Sequence, residues 1–131
     1  MLILNPRRVT FAGTQWNDVT LVAIDRAATR LAVGYSDNGP HPTFADAPEQ
    51  RTTVRVVMDA SSGLVAPRPG DAGTLSLTTS PTASDAAAQT LTASCVVTRV
   101  SHELGLKHTP TRTIEFIALS TNGAADPITI S

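Results

Sequence analysis

The chain has 131 residues, 41% hydrophobic and 16% charged, with ten basic against eleven acidic residues for a net charge of −1. That length makes one domain, long enough to bury its own core. The near-neutral balance excludes a typical nucleic-acid binder, which needs clustered Lys and Arg against phosphate, and no apolar run approaches the ~20 residues of a membrane helix.

Aromatic residues are only 4%, so the core is expected to be built from Val, Leu, Ile and Ala. The opening residues Met1 to Arg8 place their charges after the apolar stretch, the reverse of a secretory signal, and are too few for one. A single cysteine, Cys95, excludes an internal disulfide framework and a cysteine-rich zinc site. It fits assembly in a reduced, cytoplasmic setting.

The dominant period along the chain is two. Arg8 to Phe11 is expected as a short strand, Ala12 to Gln15 as a turn, and Trp16 follows it. Val19 to Asp25 and Leu31 to Tyr35 are expected as two strands broken around Arg26 to Thr29; both are apolar in part on both faces, so each is expected to be covered by a second layer on one side and a neighbour on the other. Asp37 to Pro42 has turn chemistry throughout, and the loop it opens is expected to end near Pro48. Thr53 to Met58 puts Val54, Val56 and Met58 on one face. Asp59 to Asp71 is a long loop with Ser61-Ser62-Gly63 at one end and Pro67-Arg68-Pro69-Gly70-Asp71 at the other; loops of this length are usually functional or ordered by a partner. Thr74 to Thr78 alternates cleanly, Leu75 and Leu77 in and three hydroxyls out. Ser80 as N-cap, Pro81 at the first helical position and Ala86-Ala87-Ala88 predict a helix of about two turns. Thr90 to Val97 places Leu91, Ala93, Cys95 and Val97 on one face. Thr113 to Leu119 does the same with Ile114, Phe116 and Ala118. Thr121-Asn122-Gly123 is a turn before a short tail. Alternating, β-branched runs separated by Gly and Pro turns predict a mainly β domain over residues 1–131: an antiparallel β-sandwich or rolled barrel of about eight strands with one short helix.

No motif supplies chemistry. His102-Glu103-Leu104-Gly105-Leu106-Lys107-His108 superficially resembles a zinc-peptidase helix, but its histidines are six apart, where that helix needs four, and Gly105 weakens any helix. The better reading is polar residues leading into a hairpin near Pro110. Asp37-Asn38-Gly39 is a turn, since Pro40 and Pro42 interrupt the alternate oxygen ligands of a calcium loop. Cys95, mid-strand on an apolar face, reads as a small hydrophobe. Ser61 and Ser62 lack the nucleophile-elbow context. His41, His102 and His108 are scattered, so no enzyme, cofactor or metal is expected. Trp16, as the only Trp, reads as core or interface packing.

Two compositional features point to assembly. Every basic residue except Lys107 is arginine, the cation enriched at protein interfaces; a GC-rich genome accounts for the same bias. The strand faces that would meet water carry Thr and Ser, with few of the charges that guard the sheets of monomers.

In layout, the chain resembles the small tail tube proteins of tailed bacteriophages and related contractile injection systems. The resemblance runs through Phe11-Ala12-Gly13-Thr14-Gln15-Trp16, then Ala23-Ile24-Asp25-Arg26, the strand Thr53 to Met58, and Pro67-Arg68-Pro69-Gly70-Asp71 leading into Gly73-Thr74-Leu75-Ser76-Leu77. It implies a virion structural protein, assembled in the bacterial cytoplasm, whose hexameric rings stack into a hollow tail tube that passes DNA. Implied partners are other copies of the chain, with sheath, tape-measure, baseplate and tail-terminator proteins, and no membrane. It further implies inter-subunit contacts through the N-terminal arm, with Leu2, Ile3, Leu4, Asn5 and Arg8, and through the long loop, with Asp59, Ser61, Leu64, Arg68 and Asp71. Thr53, Arg55, Thr74, Ser76 and Thr78 are the expected lumen lining, with Arg55 at odds with a wall that should not hold phosphate. The rival readings are a tail completion or baseplate protein that forms a single ring, and a small β-sandwich binding module.

Overall fold

Alternation of apolar and hydroxyl side chains leaves each body strand with one face that must be covered, and covering that face determines the architecture. The computed structural model describes residues 2–3, 6–16, 19–59, 67–79, 89–106 and 108–130. Among them are nine strands: β1 (Leu2–Ile3), β2 (Pro6–Phe11), β3 (Thr14–Trp16), β4 (Val19–Tyr35), β5 (Pro42–Asp59), β6 (Ala72–Thr79), β7 (Thr90–Gly105), β8 (His108–Leu119) and β9 (Ile128–Ile130). All pair antiparallel in a single sheet of order β1-β4-β5-β8-β7-β6-β2-β3. β9 pairs with Leu91 to Ala93 of β7, continuing the lane that β8 leaves at Leu119.

The fold is mainly β, as expected, but one continuous sheet replaces the two packed sheets of a sandwich. The sheet covers its apolar face by rolling. β2 lies three lanes from β8, which in a flat sheet is a separation of about 14 Å. The ring of Phe11 on β2 is nevertheless 4.9 Å from that of Phe116 on β8, and Trp16 on β3 is 6.0 Å from it. The roll stays open, with β1 and β3 as its edge strands.

The enclosed face is the expected one. Val54, Val56, Met58, Leu75, Leu77, Leu91, Ala93, Cys95, Val97, Ile114, Phe116 and Ala118 are all buried, joined by Val9, Phe11, Trp16, Val22, Ile24 and Ile128. Trp16 is therefore a core residue. The void left among Ile24, Leu77, Leu91 and Ile128 is about 10 Å³, no more than one water's worth.

Several boundaries differ from the sequence reading. β4 is one strand, not two. Its irregular stretch around Arg26 to Thr29 is carried by pairing with β5, and register shifts between Ala28 and Ala32 absorb the mismatch. Pro48 does not close a loop. It lies inside β5, where the register passes from Arg30↔Glu49 to Ala32↔Asp46; a bulge tolerates a residue with no N–H to give. The loop between β4 and β5 is accordingly residues 36–41 alone. Among the described residues there is no helix; the one expected at Ser80 to Ala88 lies outside them, as does residue range 60–66 of the long loop. The end of that loop is docked: the Gly70 N–H donates to the Val97 carbonyl at 2.7 Å and the Val97 N–H to the Asp71 carbonyl at 2.8 Å.

β2 and β3 are joined by Ala12-Gly13, with φ of 51° and 83°, the left-handed pair that a tight hairpin requires. This turn lies against Gly73, and a Cβ placed there would come within 2.8 Å of the Ala12 Cβ. Gly73→Ala is expected to cost about 1–3 kcal/mol through that overlap. Ala12→Gly removes the opposing methyl and accepts positive φ, but the Ala12 Cα and N would still lie 3.2 and 3.3 Å from the new Cβ, so the double variant should recover part of the loss. Urea denaturation of the two single variants and the double variant reads the coupling directly.

Candidate assembly surfaces

Only part of β4 and β5 belongs to the rolled body. Beyond Ile24 on β4 and before Thr52 on β5, nearly every residue is exposed on both faces. β1 pairs with β4 only at Val22 and Ala23, and β8 reaches β5 only from Thr53 onward. Among the described residues, the remaining ladder is a two-stranded arm with both edges open. Asp25 to Tyr35 at about 3.3 Å per residue gives it a reach of roughly 35 Å. Its side chains include exposed hydrophobics: Leu31, Val33 and Tyr35 at alternate positions on one face, and Phe44 across from Gly34 on the other. Leu31 is 62% exposed, Tyr35 65% and Phe44 61%. A Cβ on Gly34 would sit 3.4 Å from the Phe44 Cβ, so the ring lies over the glycine.

A second exposed apolar site lies at the far end of the body. β5 runs from the arm tip at Pro42 to Asp59, and Asp59 is paired with Thr111 of β8. β8 is antiparallel to β5, so the turn joining β7 to β8 lies past Asp59, at the end opposite the arm. That turn presents Leu104, 77% exposed, and Leu106, fully exposed.

The third surface is the outer face of the roll. Thr53 and Arg55 on β5, and Thr74, Ser76 and Thr78 on β6, all lie opposite the buried residues of their strands. They share the outer face, with the lanes of β8 and β7 separating the two groups. Thr92 and Ser94 of β7 extend the hydroxyl field of β6, through the pairs Ser76↔Thr92 and Thr74↔Ser94. Arg55 is directly across from Glu115, which is across from Arg99, so charge alternates along that row. The face is not uniformly polar. Val57, Ile117 and Val96 are half-buried on it, and Leu119 is 47% exposed.

The other sequence candidates are dispersed. Leu2 and Ile3 pair with β4 as the edge strand β1. Arg8, at φ 50°, is exposed in the β2 bulge that separates the pairs Arg7↔Thr78 and Thr10↔Ser76. Asp59 ends β5 half-buried. Arg68 and Asp71 close their own turn, the Arg68 N–H donating to Asp71 Oδ2 at 2.8 Å and the Asp71 N–H to the Arg68 carbonyl at 3.0 Å. Leu4, Asn5, Ser61 and Leu64 lie outside the described residues.

The structure does not bring His41 and His102 together. His41 is at the arm tip, whereas His102 is across from Arg112 near the opposite end. Among the described residues, no three of His, Cys, Asp and Glu are close enough to hold a metal ion. Asp37-Asn38 forms the arm's turn, with the Asn38 N–H donating to Ser36 Oγ at 3.3 Å. No family model matches the sequence, and no curated protein matches it.

Sequence reasoning missed the arm. Apolar residues on both faces of Leu31 to Tyr35 predict cover on both sides, whereas Leu31, Val33 and Tyr35 are exposed, because the pairing of β1 and β8 stops short of this stretch. Cys95 is as expected, 1% exposed. Burial pushes its thiol from the ordinary 9 up to about 11, because a thiolate there would lose its hydration. In the native protein it should be inert to a disulfide reagent at pH 8 and titrate fully only in denaturant. The unfolded thiol ionises first, so the thiol's contribution to stability is intact below pH 9 and lost as pH rises through about 11.

Proposed function

We propose that the chain is a structural subunit that associates with copies of itself into stacked rings, as a tail tube protein does. One observation carries the reading: exposed apolar side chains sit at opposite ends of one rolled sheet, Leu31, Tyr35 and Phe44 on the arm and Leu104 and Leu106 on the far turn. Two different patches at opposite ends make a head-to-tail contact, which propagates along an axis instead of closing as a dimer. An exposed two-stranded ribbon is marginal alone in water, and a neighbouring subunit supplies the cover it lacks.

The open roll supports the lateral half of the assembly. Its two edge strands each have one side unpaired among the described residues, and edges joined between neighbours disappear in a closed barrel of several chains. The hydroxyl field of Thr74, Ser76, Thr78, Thr92 and Ser94 suits a lumen wall along which DNA passes without being held. In this reading the subunits form hexameric rings in the host cytoplasm and end in the virion tail. Sheath, tape-measure, baseplate and terminator proteins are the further partners.

Negative-stain microscopy with light scattering across a concentration series tests it. The wild-type chain should form rings and short hollow tubes. Paired Leu104→Glu and Leu106→Glu should leave rings but abolish stacking, and Tyr35→Glu with Phe44→Glu should do the same from the other end. All four sites are exposed, so the unfolding midpoint of the subunit should barely move. Rings that never stack in the wild type would favour a completion or baseplate role. A monodisperse monomer at every concentration, indifferent to the substitutions, would overturn the reading.

A further inference from the structure

The arm leaves the body where β8 ends. Thr52, at the root of β5, pairs with Arg26 of β4, and the last β8 residue paired with β5 is Ile117, across from Thr53. Past Leu119 the chain turns away through residues 120–127 and returns as β9, anchored by buried Ile128. This loop runs beneath the arm root. A cleft of about 500 Å³ separates them, with Arg26, Pro48, Gln50 and Thr52 on one wall and Ser120 and Asp126 on the other.

The loop is tightly organised by its own side chains. Ser120 Oγ accepts from the Asn122 N–H at 3.4 Å and the Gly123 N–H at 3.0 Å. Asn122 Oδ1 accepts from the Ala124 and Ala125 N–H groups at 2.9 and 2.8 Å. Asp126 Oδ1 accepts from the Ile128 N–H at 3.0 Å. These bonds hold the Asp126 carboxylate still and leave its second oxygen, Oδ2, for Arg26 Nη1 at 2.9 Å. A second ion pair, Arg30 with Glu49 at 3.9 Å, lies within the arm. Arg26–Asp126 ties the arm root to the body.

We propose that the 120–127 loop is a strap: through the Arg26–Asp126 pair it sets the angle at which the hairpin arm leaves the body. A two-stranded ribbon above an open cleft swings readily, and a charged contact across that cleft removes the swing before a neighbour is met. That pre-ordering lowers the entropic cost of docking. The consequence for assembly rests on the stacked-ring reading, but the strap is a property of the single subunit and is tested there.

The experiment places spin labels at Asn38→Cys on the arm tip and Gln15→Cys on β3. The buried Cys95 stays unlabelled. Distances are read by pulsed electron resonance in dilute solution, with unlabelled chain added so that only intramolecular pairs report. Asp126→Asn keeps an acceptor for the Ile128 N–H and removes only the charge; Arg26→Gln removes the other partner. Each should raise the fraction of arms outside the main distance peak by about two- to five-fold, the range an exposed ion pair commands. The double variant should be no broader than either single one. Salt at 1 M should broaden the wild type and leave Asp126→Asn unchanged. Unaltered distributions in both variants, or effects that multiply in the double variant, would overturn the strap. If the distances respond but no rings form at any concentration, the strap stands and the stacked-ring reading fails.

Discussion

Closure of the sheet around Phe116 is the contact on which the rest of this structure depends. Its ring meets Phe11 at 4.9 Å and Trp16 at 6.0 Å, bringing β2 and β3 over the middle of a sheet in which they lie several lanes away. With three of the chain's few aromatics spent on one cluster, the remaining core is aliphatic, and Val22, Val56 and Ile114 are fully buried around it. Large rigid rings span a distance that Val and Ala cannot, and their burial offsets the bending of the sheet. Without that closure the apolar faces of β5, β6, β7 and β8 would have no second layer, since no helix covers them among the described residues.

The same closure determines what is left outside. The roll needs only the first part of β4 and the last part of β5, and the pairing of these two strands continues long after the core has ended. The arm so produced has the hydrogen bonding of a sheet without its burial. At the far end, β7 and β8 likewise outrun β5 and present Leu104 and Leu106. The body is thus bracketed along its strand axis by two apolar extensions of different shape, which is the physical basis for reading the molecule as a unit of a polar array.

Control over the arm is local. Exposed ion pairs contribute little to global stability, and Arg26–Asp126, with both side chains about half exposed, is no exception. A small energy suffices to bias the position of a ribbon whose side chains are nearly all exposed. The N–H groups of Gly123, Ala124, Ala125 and Ile128 are satisfied by Ser120, Asn122 and Asp126, so the acid is presented from an ordered base.

What was legible in the sequence is the set of inward faces. Leu75 and Leu77, Leu91 through Val97, and Ile114 through Ala118 are buried as their alternation requires, because a period of two is imposed by strand geometry alone. The shared face of Thr53, Arg55, Thr74, Ser76 and Thr78 followed for the same reason. What the tertiary structure decided is how far each strand runs and how many sheets there are. Arg26 to Thr29 looked like a break and Pro48 like a loop end because local propensity disfavours both; pairing with a partner strand and a bulge overrode it. The single rolled sheet, the arm, and the meeting of Arg26 with Asp126, a hundred residues apart, arise from which strands become neighbours. That is a non-local choice, governed by the aromatic contact across the roll, and no window of sequence contains it.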